Sequence, residues 1–221
     1  MKTYVETDVR KVVNLKDIHG FQRFIKLCAG RIGQVLNINS LCNETGITHN
    51  TIKSWIGVLE ASHLVYLLQP YYENFGKRIT KSPKLYFVDV GLACYLLGIR
   101  SIDHLCSHPQ RGLLFENMVV MDFIKNQANC GQDPHIYYYR DNNQNEVDII
   151  FEQGGKLIPI EIKSSETFNK NFLKGIKYFL KLTSKAHSGY LIYAGHPIGG
   201  SQDFNLLNYQ DIKLISESDQ C

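Results

Sequence analysis

The sequence predicts a fold of the α+β or α/β class in two modules: a helical module with a β-hairpin, then a mixed sheet flanked by helices. Two observations predict it. Short helical patterns precede a hairpin pattern in the first half, and the second half has the order αβββαβ. We predict an entry segment or linker over 1–18, a first module over 19–110 and a second module over 111–221.

The composition is that of an ordinary globular protein. The 221 residues are 44% hydrophobic and 20% charged, which suits one large domain or two small ones. No run of eighteen apolar residues predicts a membrane helix, and the first residues lack the apolar stretch of a signal peptide. Six cysteines without CxxC spacing predict reduced thiols and a cytoplasmic location.

Charge is distributed unevenly along the chain. Residues 1–100 hold 13 Lys/Arg and 7 Asp/Glu, whereas residues 101–221 hold 11 Lys/Arg and 14 Asp/Glu. A basic first half beside a mildly acidic second half indicates two modules, of which the first binds an anionic partner.

The first module begins with helical patterns. Apolar residues recur with helical spacing over 19–36. Ser40 is predicted to cap a short helix that ends at Gly46, and a further helix is predicted to begin at Thr48 or Asn50. Two short helices around a tight glycine turn are typical of a helix–turn–helix.

A hairpin pattern follows the helices. Residues 64–68 and 84–89 have strand character, and the polar turn between them, called the wing here, is basic. Helices followed by a basic hairpin predict a winged helix, with the second helix in a major groove and the wing on phosphates. The candidate nucleic-acid contacts are His49, Asn50, Lys53 and Ser54 on the helix and Lys77, Arg78, Lys81 and Lys84 on the wing. The alternative is a winged helix used for protein contacts.

The second module is predicted to alternate helices and strands. A short apolar helix over 91–98 and a polar loop to residue 110 precede it. The predicted elements are a helix over 111–127, strands over 135–140, 146–151 and 156–163, a helix over 167–182, and strands over 189–193 and 212–215. Three strands, a crossover helix and a further strand predict a mixed sheet flanked by helices.

Charged side chains interrupt two of the apolar strands. Glu161 and Lys163 are two residues apart and therefore share a face of their strand, and the neighbouring strand can bring Asp148 alongside them. Two carboxylates and one ammonium group are costly to bury without a purpose, and they suit a Mg²⁺ site in which the lysine positions or deprotonates an attacking water. The alternative is a salt-bridged surface hairpin.

Two further residues are candidates for the same centre. Glu116 lies on a largely apolar face of the 111–127 helix, where a carboxylate needs a partner. It either joins Asp148 and Glu161, pairs with an arginine such as Arg140, or turns to solvent. Arg140 ends a strand and either contacts a phosphate or forms a structural ion pair.

The pattern Asp148, then Glu161-Ile162-Lys163, with Glu116 on a preceding helix, resembles the PD-(D/E)xK superfamily of restriction-endonuclease-like nucleases. This resemblance implies a restriction-endonuclease-like mixed sheet. It also implies catalytic roles for Glu116, Asp148, Glu161 and Lys163, and a Mg²⁺ or Mn²⁺ ion held by the three carboxylates.

An ordered set of motifs over about residues 20–195 resembles the C-terminal region of a prokaryotic family of AAA+ ATPases. The motifs begin at Lys84, Gly112, Tyr139, Glu146 and Glu161. The resemblance implies a winged-helix-like part and a nuclease-like part behind an ATPase module. The chain contains no GxxxxGK[ST] loop, so ATP is not expected to bind to it.

The expected function is metal-dependent cleavage of DNA phosphodiesters. The expected partners are DNA and an AAA+ ATPase module in cis or in trans, and no membrane is expected. The prediction also allows an oligomer. The alternative is a non-catalytic DNA- or protein-binding regulatory module with a degenerate nuclease-like fold.

Overall fold

The computed structural model describes residues 17–73, 80–197 and 203–216. Most of the predicted entry segment, and Lys77 and Arg78 of the wing, lie outside the described residues. The described residues divide into two compact units. The first unit comprises residues 17–67 and 82–108, and the second comprises 68–73, 80–81, 109–197 and 203–216.

Three helices open the first unit: α1 (Ile18–Ala29), α2 (Ile38–Thr45) and α3 (His49–Ala61). Their shared core is aromatic. The ring of Trp55 on α3 lies 5.3 Å from the ring of Phe21 and 5.4 Å from the ring of Phe24, both on α1. Such edge and tilted contacts stabilise a core beyond the apolar area that they bury.

The predicted helix end at Gly46 is confirmed, and the predicted cap at Ser40 is wrong. Asn37, not Ser40, begins α2, because the Asn37 side chain accepts a hydrogen bond from the Ser40 backbone N–H. Gly46 ends the helix with a φ of 73°, a left-handed conformation that glycine adopts without strain. Thr48, one of the two predicted starts, caps α3.

Two strands and two helices complete the first unit. Strands β1 (Val65–Leu68) and β2 (Lys84–Phe87) pair in a two-stranded sheet, and Val35 adds an antiparallel bridge to Lys84. The remaining elements are α4 (Val90–Leu96), which Asp89 caps, and α5 (Ile102–Ser107). The prediction of a loop between residue 98 and residue 110 is therefore wrong over α5, where Ser101 caps a short helix.

A five-stranded mixed sheet forms the second unit. Its elements are α6 (Arg111–Asn129), β3 (Ile136–Arg140), β4 (Glu146–Gln153), β5 (Lys156–Lys163), a 3₁₀ turn (Lys170–Leu173), α7 (Lys174–Leu180), β6 (Gly189–Tyr193), β7 (Phe204–Asn208), a second 3₁₀ turn (Tyr209–Asp211) and α8 (Lys213–Ser216). The strand order is β3-β4-β5-β6-β7, with β3–β4 and β4–β5 antiparallel and β5–β6 and β6–β7 parallel. The predicted mixed sheet flanked by helices is confirmed.

The end of the chain differs from the prediction. Residues 212–215, predicted as a strand, lie in and before α8, because Ile212 and Ile215 are three residues apart and both buried on one side of a helical turn. The last strand of the sheet is β7 instead, which pairs with β6 and lies in a region where no element was predicted. The helix predicted over 167–182 is a 3₁₀ turn followed by the shorter α7.

Helices α6 and α7 pack on opposite faces of the sheet. Leu157 of β5 shares a core cluster with Phe179 of α7. On the other face, Phe151 lies opposite Ile158 in the β4–β5 ladder, and its ring is 4.9 Å from the ring of Phe123 on α6. Side chains alternate along a strand, so Glu161 and Lys163 share the face that α7 covers.

None of the helices within the described residues is both long enough and apolar enough to cross a membrane.

Candidate functional site

The candidate site lies where β4 is irregular. Tyr137 pairs with Ile150 and Tyr139 pairs with Val147, so β4 has one residue more than β3 across this stretch. The extra residue falls in the segment 148–149, a β-bulge that includes Asp148. Bulges re-aim side chains and are common beside active sites. Asp148 lies in this irregular stretch, and its side chain accepts a hydrogen bond from β5.

Three predicted residues come together beside this bulge. The Lys163 ammonium donates to Asp148 Oδ2 at 3.0 Å and to Glu161 Oε2 at 2.6 Å. The Ile162 backbone N–H donates to the same Asp148 oxygen at 2.8 Å. One lysine therefore joins two carboxylates from neighbouring strands. These three side chains are called the carboxylate–lysine cluster below.

The cluster is buried on its acidic side and open on its basic side. Asp148 and Glu161 are each 6% exposed, whereas the Lys163 side chain is 32% exposed. A salt-bridged surface hairpin, the alternative interpretation of this pattern, would leave its carboxylates in solvent. The burial of both carboxylates contradicts that alternative.

Burial and charge shift the pKa of the cluster's groups. Burial, with the negative charge of Asp148, raises the pKa of Glu161 well above its ordinary value, and Lys163 only partly offsets this. Burial acts to lower the pKa of Lys163, but Asp148 and Glu161 outweigh it and raise that pKa above its ordinary value. Lys163 is therefore a cation at neutral pH, and its single positive charge faces two carboxyl groups.

Helix α7 covers Glu161, and its closest approach to that carboxylate is at Gly175. A Cβ atom at Gly175 would lie 2.0 Å from Glu161 Oε1 and 2.3 Å from the Glu146 carbonyl oxygen. Only glycine fits that space without movement of the helix or the strands. Gly175 was not among the residues predicted from the sequence, although an isolated glycine in a helical pattern often marks a close approach.

A second contact holds α7 in that position. The Tyr178 hydroxyl donates to Asp141 Oδ2 at 2.5 Å. Asp141 is buried in the β3–β4 turn, and its other oxygen accepts from the backbone N–H groups of Asn143 and Asn145. Asp141 therefore fixes the hairpin turn and the helix together. This role was not predicted from the sequence, because the partner of Asp141 is 37 residues away.

Glu116 is buried on α6, as its apolar surroundings predict. The first turn of α6 lies near the end of β5, since a Cβ at Gly112 would be 3.8 Å from Ser164 Oγ. Over residues 17–73, 80–197 and 203–216, no group of three or more His, Cys, Asp or Glu side chains is arranged to hold a metal ion. A metal-ligating role of Glu116 beside Asp148 and Glu161 therefore stays a prediction.

The predicted nucleic-acid contacts are dispersed. Asn50 and Lys53 are exposed on the first turns of α3. Lys81 is exposed and belongs to the second unit. Lys84 is buried in β2, so the prediction that it contacts a phosphate is wrong. Arg140 forms an ion pair with Glu146 at 3.4 Å and donates to Gln144. The suggested pairing of Arg140 with Glu116 is therefore wrong, because Arg140 already engages the acidic residue directly across the ladder.

The residues of the cluster suit a hard divalent cation. Mg²⁺ and Mn²⁺ prefer carboxylate oxygens and retain several waters, so two carboxylates are sufficient protein ligands. Burial first, and the negative charge of Asp148 second, raise the pKa of Glu161, and a bound cation would oppose both effects by favouring the ionised carboxylate. Lys163 is the part of the cluster that is exposed to solvent, with 32% of its side chain accessible.

Both halves of the chain match families without an assigned function. Residues 1–103 match a family described as "Domain of unknown function (DUF8612)", and residues 111–211 match one described as "Domain of unknown function (DUF4143)". The second family is typically associated with AAA ATPases.

Two uncharacterised proteins, one of Mycobacterium bovis and one of Mycobacterium tuberculosis, are similar to most of the chain. Each is 28% identical to it over 165 residues, which is 75% of this chain and 36% of the relative. The chain therefore spans about a third of the length of these relatives.

Proposed function

We propose that the second unit is a metal-dependent nuclease-like module, and that the chain belongs functionally to an AAA+ ATPase-type protein that acts on DNA. The observation that carries this proposal is the carboxylate–lysine cluster. Two buried carboxylates on neighbouring strands share the ammonium group of Lys163 at 3.0 and 2.6 Å. Placing two such carboxylates together in a sheet costs stability, and a catalytic or binding role explains why that cost is tolerated.

Each group in the cluster has a proposed role. Asp148 and Glu161 would hold a Mg²⁺ or Mn²⁺ ion, with Glu116 as an additional ligand. Such an ion would supply Lewis acidity toward a phosphate oxygen and would lower the pKa of a bound water. Lys163, positively charged and open to solvent, hydrogen-bonds a water or a phosphate oxygen and offsets the charge of the attacked phosphate. Gly175 lets α7 close over Glu161 and exclude bulk water from that carboxylate.

The first unit is proposed to be a winged-helix-like DNA-binding module. Its three helices followed by a two-stranded sheet support this assignment, as does the exposure of Asn50 and Lys53 on α3. Lys77, Arg78 and Lys81 of the wing, and Arg140, remain the proposed phosphate contacts. The association of the second family with AAA ATPases supports an ATPase module in cis or in trans, and this chain itself carries no ATP-binding loop.

A non-catalytic module is the second candidate function. Lys163 already neutralises one carboxylate charge, and the described residues hold no group of three metal-ligating side chains. In that case the nuclease-like unit would supply shape and contacts, and the first unit would recognise DNA or a protein partner.

A cleavage assay tests the proposal. Wild type, Asp148→Asn and Glu161→Gln would be incubated with single-stranded, duplex and branched DNA in Mg²⁺ or Mn²⁺. The proposal predicts metal-dependent cleavage by wild type and its loss in both variants. Equal cleavage by all three proteins would contradict the assigned site. DNA binding without cleavage, and without any metal response, would favour the non-catalytic module.

A further inference from the structure

A row of lysines runs along α7, the helix that covers the candidate site, and begins in the 3₁₀ turn before it. Lys170, Lys174, Lys177 and Lys181 recur every three or four residues, and all four are exposed. Residues 167–202 contain no Asp or Glu. The four side chains are called the lysine row below.

The lysines of the row project on one side of the helix. At about 100° per residue, Lys174, Lys177 and Lys181 fall within an arc of roughly 60°. The opposite side of the helix carries Leu173, Ile176 and Phe179, which are buried in the core of the second unit. The positive face is therefore rigid, because the helix is anchored along its whole apolar side.

The row lacks the acidic partners that surface lysines commonly have. Among the described residues, no carboxylate lies within ion-pair distance of any of the four lysines. By contrast, Lys185, the next lysine along the chain, pairs with Glu73 at 2.5 Å. Uncompensated charge held on a rigid face produces a local positive potential that attracts polyanions.

We infer that the lysine row is a binding surface for a nucleic-acid backbone. The rise from Lys174 to Lys181 is about 10 Å at 1.5 Å per residue, and a DNA strand presents a phosphate every 3.4 Å of helix axis or so. Three lysines on this line therefore meet about three phosphates. The inference rests on the proposed function, since Gly175, beside Lys174, contacts Glu161 and so places the row next to the carboxylate–lysine cluster.

An anionic membrane is the competing polyanion, and the structure disfavours it. Helices that lie in a membrane interface insert an apolar face beside their basic face. The apolar face of α7 is already occupied by the sheet, because Ile176 and Phe179 are 1% and 0% exposed. The row therefore offers charge alone, which suits a phosphate backbone.

A salt-dependent binding experiment tests the inference. The triple variant Lys174→Gln, Lys177→Gln, Lys181→Gln would be compared with wild type for binding of a fluorescent duplex of about 20 base pairs in EDTA at several salt concentrations. We expect about tenfold or greater weakening at low salt, and a log–log salt slope smaller by about two to three. A matched control, Lys26→Gln, Lys125→Gln, Lys156→Gln, removes three exposed lysines elsewhere and should leave the slope nearly unchanged.

The outcomes separate this inference from the proposed function. Binding and slope equal to wild type in the triple variant would overturn the lysine row alone. An equal loss in the triple variant and its control would show a general charge effect and overturn it too. Failure of wild type to bind DNA, with row-dependent binding to phosphatidylserine vesicles, would overturn both the nucleic-acid partner and the proposed function.

Discussion

Gly175 lies against the carboxylate of Glu161 so closely that a Cβ atom would be 2.0 Å from Oε1. The helix backbone thus forms one wall of the carboxylate–lysine cluster. This contact joins the backbone of α7 to the buried carboxylate of Glu161 on β5. It also shows how α7 both buries Glu161 and raises its pKa through loss of water.

Gly175→Ala is expected to destabilise the protein by about 1–3 kcal/mol, because the added methyl forces α7 away from two oxygens that cannot both move. Urea unfolding measures the change. Gly57→Ala is the matched control, since Gly57 lies within α3 and an added methyl group there would meet no atom within 4 Å. That control should gain up to about 1 kcal/mol from helix propensity. If both substitutions changed the free energy of unfolding equally, the close approach of α7 to Glu161 would not explain the effect at Gly175.

Tyr178→Phe is expected to cost about 1–3 kcal/mol at neutral pH, because buried Asp141 loses a donor. Burial alone would raise the pKa of Asp141, but the hydrogen bonds from Tyr178 and Asn145 outweigh it and lower that pKa. The stabilisation is therefore present above about pH 4, the ordinary range of an aspartate, and is lost as pH falls through the lower folded-state pKa.

Urea unfolding from about pH 2.5 to about pH 7, a range that spans the ordinary aspartate pKa, would measure the free energy of unfolding of wild type and of Tyr178→Phe. The difference between the two free energies should shrink toward acid pH. Tyr190→Phe is the control, because the hydroxyl of Tyr190 has no hydrogen-bond partner among the described residues. A difference between wild type and Tyr178→Phe that does not change with pH would count against the role of Asp141.

Glu161→Gln is expected to raise the free energy of unfolding at neutral pH in the absence of metal. The folded-state pKa of Glu161 is raised, so the native protein favours the protonated form, and stability falls as pH rises from the unfolded pKa through the folded pKa. Glutamine resembles the protonated acid, so the gain should disappear below about pH 4.5. Thermal melts of the two proteins in EDTA from acid to neutral pH measure it. A variant less stable than wild type at neutral pH would indicate that the Lys163 pair dominates.

Lys163→Met is expected to destabilise the metal-free protein by about 2–3 kcal/mol. Removal of the ammonium leaves Asp148 and Glu161 facing each other without a cation, although the one-third exposure of Lys163 softens the effect. Added Mn²⁺ should raise the melting temperature of this variant more than that of wild type, since the ion replaces the missing charge. The control Lys185→Met removes a surface pair with Glu73 and should show little loss and no Mn²⁺ rescue.

Local chemistry was sufficient to predict much of the fold. Gly46 and Thr48 mark helix boundaries through their own backbone and side-chain preferences, and the strands β4 and β5 follow from alternation within a few residues. Ser40 was a less accurate prediction, because Asn37 is an equally suitable cap three residues earlier. Residues 212–215 have spacing compatible with either a strand or one helical turn, and packing against the rest of the unit decides between them.

The candidate site was predicted in its residue types but not in its geometry. Asp148, Glu161 and Lys163 were chosen correctly as neighbours because strand periodicity is local. The bulge at Asp148, the wall at Gly175 and the Asp141–Tyr178 contact depend on register and on residues far apart in the chain. No pattern within one segment encodes those relationships, so only the folded structure reveals them.

Calorimetric titration with Mn²⁺ at neutral pH tests the central claim most directly, that Asp148 and Glu161 form a divalent-cation site. We would compare wild type, Asp148→Asn and the control Lys125→Gln. Lys125 is exposed on α6, which packs on the face of the sheet opposite to α7. We expect one bound Mn²⁺ in wild type and in the control, with affinity that rises with pH as Glu161 loses its proton, and no binding in Asp148→Asn. Equal Mn²⁺ binding by Asp148→Asn, or no binding by wild type at millimolar metal, would contradict it.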